Sequence, residues 1–201
     1  MKYDIAIIYR EDMPADLVRD LVQELRRADV CVQVEERENA PFAALEWAIP
    51  AAVILFIAKT YVDTLLKEAA KEHYPIIKRN LAKFSEKFLK IKQEVVVSEQ
   101  SPNKVQKNNP VSGSFAIWSM TIDGRPLRFL FFGGRDRDYY EHAIDKIFDS
   151  LTNHAQEYPD NNISSQIIRS PGRSREIYLL FDDAANEWKV ADIMTGTFID
   201  R

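Results

Sequence analysis

Three short apolar segments within the first 58 residues constrain the fold more strongly than any other feature of this chain. Residues 3–9, 30–34 and 51–58 are apolar at nearly every position, and residues 14–28 repeat apolar side chains at the spacing of one helix face. Strands of this kind occur where helices cover both faces of a parallel sheet. We therefore predict an α/β fold with a parallel βαβαβ start, in which the three strands are adjacent.

Composition sets the class of protein and excludes some functions. The 201 residues are enough for one domain, or for one domain with an appendage, and 46% of them are hydrophobic. The formal net charge of −4 argues against a globally basic nucleic-acid binder. The single cysteine, Cys31, lies in an apolar segment, where we expect it to fill space in the core.

The apolar segments are too short for targeting or for membrane insertion. The first carries Asp4 and cannot supply the core of a signal peptide, which needs about 7–15 apolar residues. The longest uncharged stretch, residues 47–58, is well below the roughly 20 residues of a membrane-spanning helix. We expect a cytoplasmic protein that does not contact a membrane.

An apolar stripe with steps of three and four residues follows the third segment and runs over residues 62–88. Pro75 interrupts this stripe, and proline removes a backbone donor and crowds the preceding turn. We predict a long helix that is kinked near Tyr74, or two helices with Pro75 in the first turn of the second.

The composition changes after this helical region. Residues 95–114 are rich in polar residues and proline, apart from a short apolar stretch at 95–97 that would suit a strand. We predict a linker or loop there, which separates a first portion, residues 1–94, from a second, residues 115–201.

A hairpin is predicted at the start of the second portion. Residues 115–122 and 127–132 are strand-like, and they flank Asp123-Gly124. This dipeptide readily adopts the positive φ angles of a tight turn.

A helix and a second hairpin complete the predicted elements. Asp136 or Asp138 is expected to cap a helix that ends near residue 156, and a polar loop follows at residues 159–174. Two further strands are predicted at 176–181 and 187–193. The antiparallel hairpin–helix–hairpin portion either extends the first sheet or forms a small second domain.

The first 75 residues resemble the start of a TIR domain. Residues 3–12, YDIAIIYRED, are similar to the first TIR box, which reads like YDVFISY followed by acidic residues and an amphipathic helix. Residues 51–74, AAVILFIAKTYVDTLLKEAAKEHY, are similar to the third TIR strand, its Ser/Asn-x-Tyr turn and the helix after it. The resemblance implies a flavodoxin-like parallel sheet and a role in signalling through protein contacts.

The same resemblance bears on catalysis. TIR domains that cleave NAD use a glutamate on the helix after the third strand, just beyond a Trp-Cys pair. Aligning this chain on Tyr61 places Leu66 and Lys67 at that pair and Ala70 at the glutamate. The resemblance therefore implies a chain without NAD-cleaving activity. Glu68 is the catalytic candidate only if the chain is an NAD nucleosidase-like hydrolase, and otherwise it is expected to be a solvated surface residue.

Ligands bind at the carboxyl ends of the strands in open parallel sheets. In the predicted parallel start, Arg10 and Tyr61 follow two strands at the same edge, where Arg10 would hold a phosphate and Tyr61 would stack on a base. NAD is then the cofactor or substrate expected under the hydrolase alternative. The simpler interpretation is that Arg10 pairs with Glu36 or Glu38 at the surface.

The remaining polar motifs are interpreted as structural. Gly133-Gly134-Arg135 lies between a strand and a helix, a geometry in which backbone N–H groups can bind phosphate, but we interpret the glycines as a turn. No metal site is predicted, because no cysteine and no metal-spaced set of acids accompanies the three histidines, His73, His142 and His154.

The helical region is also unusually basic. Residues 75–110 carry eight Lys or Arg against three Glu, a net charge of +5 that leaves −9 for the rest of the chain. Such lysines are typical of a solvated helix face, but they also attract acidic partners. We predict that Lys83, Lys87 and Lys90 dock an acidic protein partner. We do not expect nucleic acid to bind there, since no aromatic side chains interleave with the lysines to stack bases.

These observations lead to one prediction of function with two alternatives. The leading prediction is a TIR-like signalling or protein-interaction module without catalytic activity or cofactor, which could form homo-oligomers. The first alternative is an enzyme that hydrolyses NAD or another nucleotide at the carboxyl edge of the parallel sheet, using Glu68. The second is a nucleic-acid adaptor that binds through the basic helix.

Overall fold

The computed structural model describes residues 3–38, 52–65, 74–89, 111–169, 176–192 and 197–199. Within these ranges the strands are β1 (Ile5–Arg10), β2 (Val32–Arg37), β3 (Val53–Ile57), β4 (Val111–Met120), β5 (Pro126–Phe132), β6 (Ile177–Asp182), β7 (Glu187–Asp192) and β8 (Thr197–Phe198). The helices there are α1 (Ala15–Arg27), α2 (Lys59–Leu65), α3 (Tyr74–Leu89), α4 (Arg137–Gln156) and α5 (Asn162–Arg169). The predicted α/β class is confirmed.

The strands form one mixed sheet in the order β2-β1-β3-β4-β5-β6-β7-β8. β1 and β2 are parallel as predicted, with Ile5 opposite Val32. β3 also lies next to β1, but it is antiparallel, with Ile7 opposite Leu55. The prediction of three parallel strands is therefore wrong at β3. A strand that is buried on both faces is apolar whichever way it runs, so its composition carries no information about its direction.

The second portion of the chain continues the same sheet. β3 and β4 are parallel, with Leu55 opposite Ile117, and this pairing joins the two portions. The two predicted hairpins, β4 with β5 and β6 with β7, are confirmed, and β5 pairs in parallel with β6. Residues 115–199, where described, therefore extend the first sheet. The predicted linker covered residues 95–114, but residues 111–114 belong to β4, so the prediction is wrong there; residues 95–110 lie outside the described residues.

The described helices pack on one face of the sheet. The larger hydrophobic cluster contains side chains from all five helices together with strand residues such as Leu55, Phe129 and Trp188. A second, smaller cluster on the other face consists of strand side chains, including Leu130 and Leu180. The prediction that helices cover both faces is wrong for the helices that the structure describes.

The face without described helices carries one buried charge. Arg128 of β5 lies in register between Trp118 of β4 and Tyr178 of β6. Its guanidinium carbon is 4.1 Å from the centroid of the Trp118 ring, and its Nη2 group forms an ion pair with Glu176. Stacking and ion pairing together explain how a guanidinium group is accommodated among apolar side chains.

Cys31 is exposed, which corrects the expectation that it fills space in the core. Its neighbours Val30 and Val32 are both buried, and successive side chains near a strand point to opposite sides. β2 is also the edge strand of the sheet, so little of the structure covers it.

α3 is described from Tyr74 onward, with Pro75 as its second described residue. Residues 66–73 before α3 lie outside the described residues, and the predicted choice between one kinked helix and two helices falls on them. The Tyr74 hydroxyl donates to Oδ1 of Asp145 at 2.7 Å, and Lys78 Nζ is 2.7 Å from the same oxygen. These contacts attach α3 to α4.

α4 begins as predicted, whereas α5 was not predicted. Oδ1 of Asp136 accepts a hydrogen bond of 2.9 Å from the backbone N–H of Tyr139 and so caps α4. α5 lies within residues 159–174, where the polar composition indicated a loop. Two of its three isoleucines, Ile163 and Ile167, are buried and supply the apolar face of this short helix, whereas Ile168 is exposed.

Candidate functional site

The structure does not bring the predicted nucleotide-binding residues together. Arg10 ends β1, whereas Tyr61 lies in α2, directly after β3. Because β3 runs antiparallel to β1, the carboxyl end of β3 lies beside the start of β1, at the opposite end of the strands from Arg10. The predicted site at a shared carboxyl edge is therefore wrong, since it required all three strands to run in the same direction.

The side chain of Arg10 is already engaged within the chain. Its Nε and Nη2 atoms donate to the two carboxylate oxygens of Asp12, at 2.9 and 2.7 Å. The expected partners, Glu36 or Glu38, are replaced by this closer carboxylate, and Glu36 instead accepts a hydrogen bond of 3.0 Å from the Tyr9 hydroxyl. A bidentate carboxylate occupies the donors that a phosphate would need.

Tyr61 belongs to the hydrophobic core. The residue is 5% exposed and packs within the larger cluster, so its ring offers no free face to a base. Burial raises the pKa of the Tyr61 hydroxyl, and the negative charge of Asp4 acts in the same direction. The catalytic candidate Glu68 and its neighbour Ala70 lie outside the described residues.

The turn at Gly133-Gly134-Arg135 is consistent with the structural interpretation. Gly134 has a φ of +71°, a conformation that favours glycine. Asp136, the N-cap of α4, already accepts a hydrogen bond at the start of the helix, so the chain's own carboxylate lies where an anion would bind. Arg135 stacks near the ring of Tyr139, with 5.4 Å between guanidinium carbon and ring centroid.

His154 forms a buried polar cluster between α4, α5 and the β4–β5 turn. Its Nδ1 atom is 2.7 Å from the Ser164 hydroxyl, and its Nε2 atom accepts a 3.2 Å hydrogen bond from the backbone N–H of Ile122. The backbone donor requires an unprotonated Nε2, so Nδ1 carries the proton and donates to the hydroxyl. Burial lowers the pKa of His154, while the charge of Asp123 acts in the opposite direction. Both ring nitrogens are thereby occupied.

A groove with a volume of about 550 Å³ lies between α1 and α3, and the first residue of α4 reaches its margin. Its apolar lining consists of Leu17, Leu21 and Phe84. The other eight of its eleven lining residues are polar or charged: Asp20, Gln23, Glu24, Arg79, Asn80, Lys83, Lys87 and Arg137. Small-molecule sites of this volume are mostly apolar, and this lining differs from them in being mainly polar and charged.

The charges in the groove are segregated by element. α1 contributes Asp20 and Glu24, the second of which also forms an ion pair with Arg27, whereas α3 contributes Arg79, Lys83 and Lys87. No ion pair within the described residues involves these three α3 cations. The groove therefore has an acidic side on α1 and a basic side on α3 that is not neutralised by the described part of the chain.

A buried amide also faces this region. Asn80 of α3 is 9% exposed and lines the groove. Its Nδ2 group is buried and has no hydrogen-bond acceptor among the described residues. Leaving a buried donor without an acceptor costs about 1–3 kcal/mol.

The sequence predicted the basic side of this groove but not the acidic side. Lys83 and Lys87 line the groove, and Lys90 lies outside the described residues. Asp20 and Glu24 carried a usable signal, because a spacing of four residues places two side chains on the same helix face. That signal acquires a meaning only once α1 is known to lie beside α3.

Comparison with known proteins gives no relative. No protein-family model matches the chain, and no curated protein or solved structure was found to be similar to it. Among the described residues, no three or more His, Cys, Asp or Glu side chains are grouped so that they could hold a metal ion. None of the described helices is long and apolar enough to cross a membrane.

Proposed function

We propose that this chain is a protein-interaction module without catalytic activity, and that its docking site is the groove between α1 and α3. The observation that carries this proposal is the basic row of Arg79, Lys83 and Lys87, which forms no ion pair within the described residues. Cations held in one row on a packed helix create a positive potential in a protein that is acidic elsewhere. The partner segment therefore brings acidic side chains to α3.

The predicted alternatives have less support. The hydrolase alternative requires Arg10 and Tyr61 at one site, and they lie at opposite ends of the strands. The nucleic-acid alternative requires a basic surface without nearby acids, whereas Asp20 and Glu24 line the same groove and would repel a phosphate backbone. A signalling role rests on the TIR resemblance of residues 3–75, from which the antiparallel β3 departs.

A labelled helical peptide that carries glutamates on one face only, spaced four residues apart, tests the proposal by fluorescence anisotropy, because such a peptide can present its acids to α3 and a neutral face to α1. We expect the peptide to bind the wild-type chain, and to bind more weakly as salt rises, since the Debye length falls from about 30 Å at 0.01 M to about 3 Å at 1 M. The double variant Lys83→Glu, Lys87→Glu is expected to abolish binding, because it reverses the charges that face the peptide.

The matched control is the variant Lys59→Glu, Lys146→Glu, which changes the net charge by the same amount outside the groove. It is expected to bind the peptide like the wild type, since screened charges act over short distances. Peptide binding that survives the reversal of Lys83 and Lys87 would contradict the proposal. Tight, lysine-dependent binding of random-sequence RNA at physiological salt would favour the adaptor alternative instead.

A further inference from the structure

The charged rows on α1 and α3 match each other in spacing and length. α1 carries Asp16, Asp20 and Glu24, and α3 carries Arg79, Lys83 and Lys87, in both cases at intervals of four residues. Residues four apart lie on the same face of a helix. Each row spans eight residue steps, or about 12 Å at 1.5 Å per residue.

The arrangement of the two rows restricts what can occupy the groove. A purely acidic segment would be attracted by α3 but repelled by Asp20 and Glu24 on α1. The best-matched occupant presents acids to α3 and bases to α1. A second copy of the α1–α3 surface has that arrangement. When the copy is rotated by half a turn about an axis along the groove, its bases on α3 face α1 and its acids on α1 face α3.

We propose that the partner is a second copy of this chain, bound through the same groove. In this dimer, α1 of each copy faces α3 of the other, so Asp20 and Glu24 of one copy lie against Lys83 and Lys87 of the other. The interface is isologous, because the same patch serves both copies. The inference rests on the proposed function, since it names the partner of that docking site.

The size of the surface indicates a weak dimer. α1 has 13 residues, which corresponds to about 20 Å, and two adjacent helices packed 8–10 Å apart are about 20 Å wide. The patch therefore covers about 400 Å² per copy, less than the roughly 800 Å² per partner of a standard stable complex. We expect association at micromolar or higher concentration, with a strong dependence on salt.

Sedimentation velocity of the full chain at about 10 to 500 µM tests the dimer. We expect concentration-dependent dimers at about 0.05 M NaCl that weaken at least about tenfold at about 0.5 M. Lys83→Glu, Lys87→Glu makes the α3 row net acidic like the α1 row, and Asp20→Lys, Glu24→Lys makes the α1 row net basic like the α3 row. Each variant alone is expected to remain monomeric, since like charges then face each other in both halves of the interface.

An equimolar mixture of these two variants decides the proposal. Each half of the interface then again pairs acids with bases, so the mixture is expected to form a heterodimer with about the affinity of the wild-type dimer. The control replaces the all-basic variant by Asp149→Lys, Asp160→Lys, which has the same net charge but an unaltered groove. In that mixture the control variant is expected to form homodimers like the wild type, and no heterodimer with the all-acidic variant is expected, because acids then face acids in one half of the interface. Circular dichroism verifies that every variant is folded.

The dimer proposal is contradicted if the wild-type chain stays monomeric at the highest concentration and lowest salt. It is also contradicted if either charge-reversed variant still dimerises, or if the equimolar mixture of the two variants does not associate. The peptide experiment separates these failures from failure of the proposed function. If the acidic peptide binds through Lys83 and Lys87 while the chain stays monomeric, the groove is a docking site for a different protein.

Discussion

At the scale of single residues, His154 is the group whose protonation state matters most for stability. It is 3% exposed, and its neutral form satisfies both the Ile122 N–H group and the Ser164 hydroxyl. Protonation of Nε2 would turn an acceptor into a donor that faces another donor. The lowered pKa of His154 means that the unfolded chain takes up this proton at a higher pH than the folded chain does.

The free energy of unfolding is therefore expected to be highest above the ordinary histidine pKa of about 6.5 and to fall as the pH drops below it. His154→Gln should lower the stability at about pH 7.5 by roughly 1–3 kcal/mol, because it leaves buried polar groups unpaired. In the same variant, the free energy of unfolding should no longer fall between about pH 7.5 and 5.5. Urea denaturation at the two pH values measures both effects.

The matched control is His142→Gln on the exposed side of the same helix, which should leave the pH dependence unchanged. The pKa is lowered for three aspartate carboxyls, so these groups titrate at more acidic pH and do not contribute to the pH dependence of stability in this range. They are Asp123, Asp145 and Asp182. A variant at His154 that keeps the full pH dependence of the wild type would contradict this assignment.

A second prediction at this scale concerns NAD. The purified chain is expected to release no nicotinamide from about millimolar NAD, because Ala70 stands where the TIR resemblance places the glutamate, and catalysis requires a carboxylate held against the scissile bond. Chromatographic detection of nicotinamide measures the reaction. Turnover that disappears in Glu68→Gln, but persists in the control Glu157→Gln, would restore the hydrolase alternative.

At the scale of elements, the direction of β3 decides which residues can share a site. β3 lies between β1 and β4, antiparallel to the first and parallel to the second. The residues that follow β3 therefore lie at the opposite end of the strands from the residues that follow β1. The helices α1 and α3, by contrast, share one face of the sheet, and their charged rows meet there.

The central position of β3 predicts a large effect of truncating it. Leu55 is completely buried between β1 and β4, so Leu55→Ala is expected to lower the free energy of unfolding by about 2–5 kcal/mol. The control Val34→Ala alters a residue of the edge strand β2 that is 41% exposed, and it should cost less than about 0.5 kcal/mol. Chemical denaturation compares the two variants, and equal effects would contradict the central role of β3.

At the scale of the whole molecule, the pairing of β3 with β4 makes one sheet out of two portions that the sequence separates. Helix α3 of the first portion also packs against α4 of the second, where Lys78 and Tyr74 contact Asp145. The two portions therefore share a core, and we expect them to unfold together.

Limited proteolysis tests this continuity. The polar composition of residues 95–114 predicts that trypsin cuts first at Lys104 or Lys107. The nicked chain is expected to elute as a single species in size-exclusion chromatography under native conditions, because strand pairing and the shared core keep the fragments together. The fragments should separate only in denaturant. Fragments that separate under native conditions would show two independent domains.

Local features of this chain were determined by the sequence itself. Apolar periodicity predicted α1 and α4, and the aspartate at 136 and the glycine at 124 marked a helix start and a turn that the structure confirms. The two hairpins followed from strand segments around short turns. Each of these features depends on residues close together in the chain, where propensity, capping and turn geometry act.

Relations between distant segments were decided only by the tertiary structure. The direction of β3 depends on the path of the chain from β2, and an apolar strand carries no sign of its own direction. The groove depends on α1 lying beside α3, and on Arg137 reaching it from a distant part of the sequence. Whether an exposed charge is a solvated surface residue or part of a docking site depends on which elements pack together, and packing is a property of the whole chain.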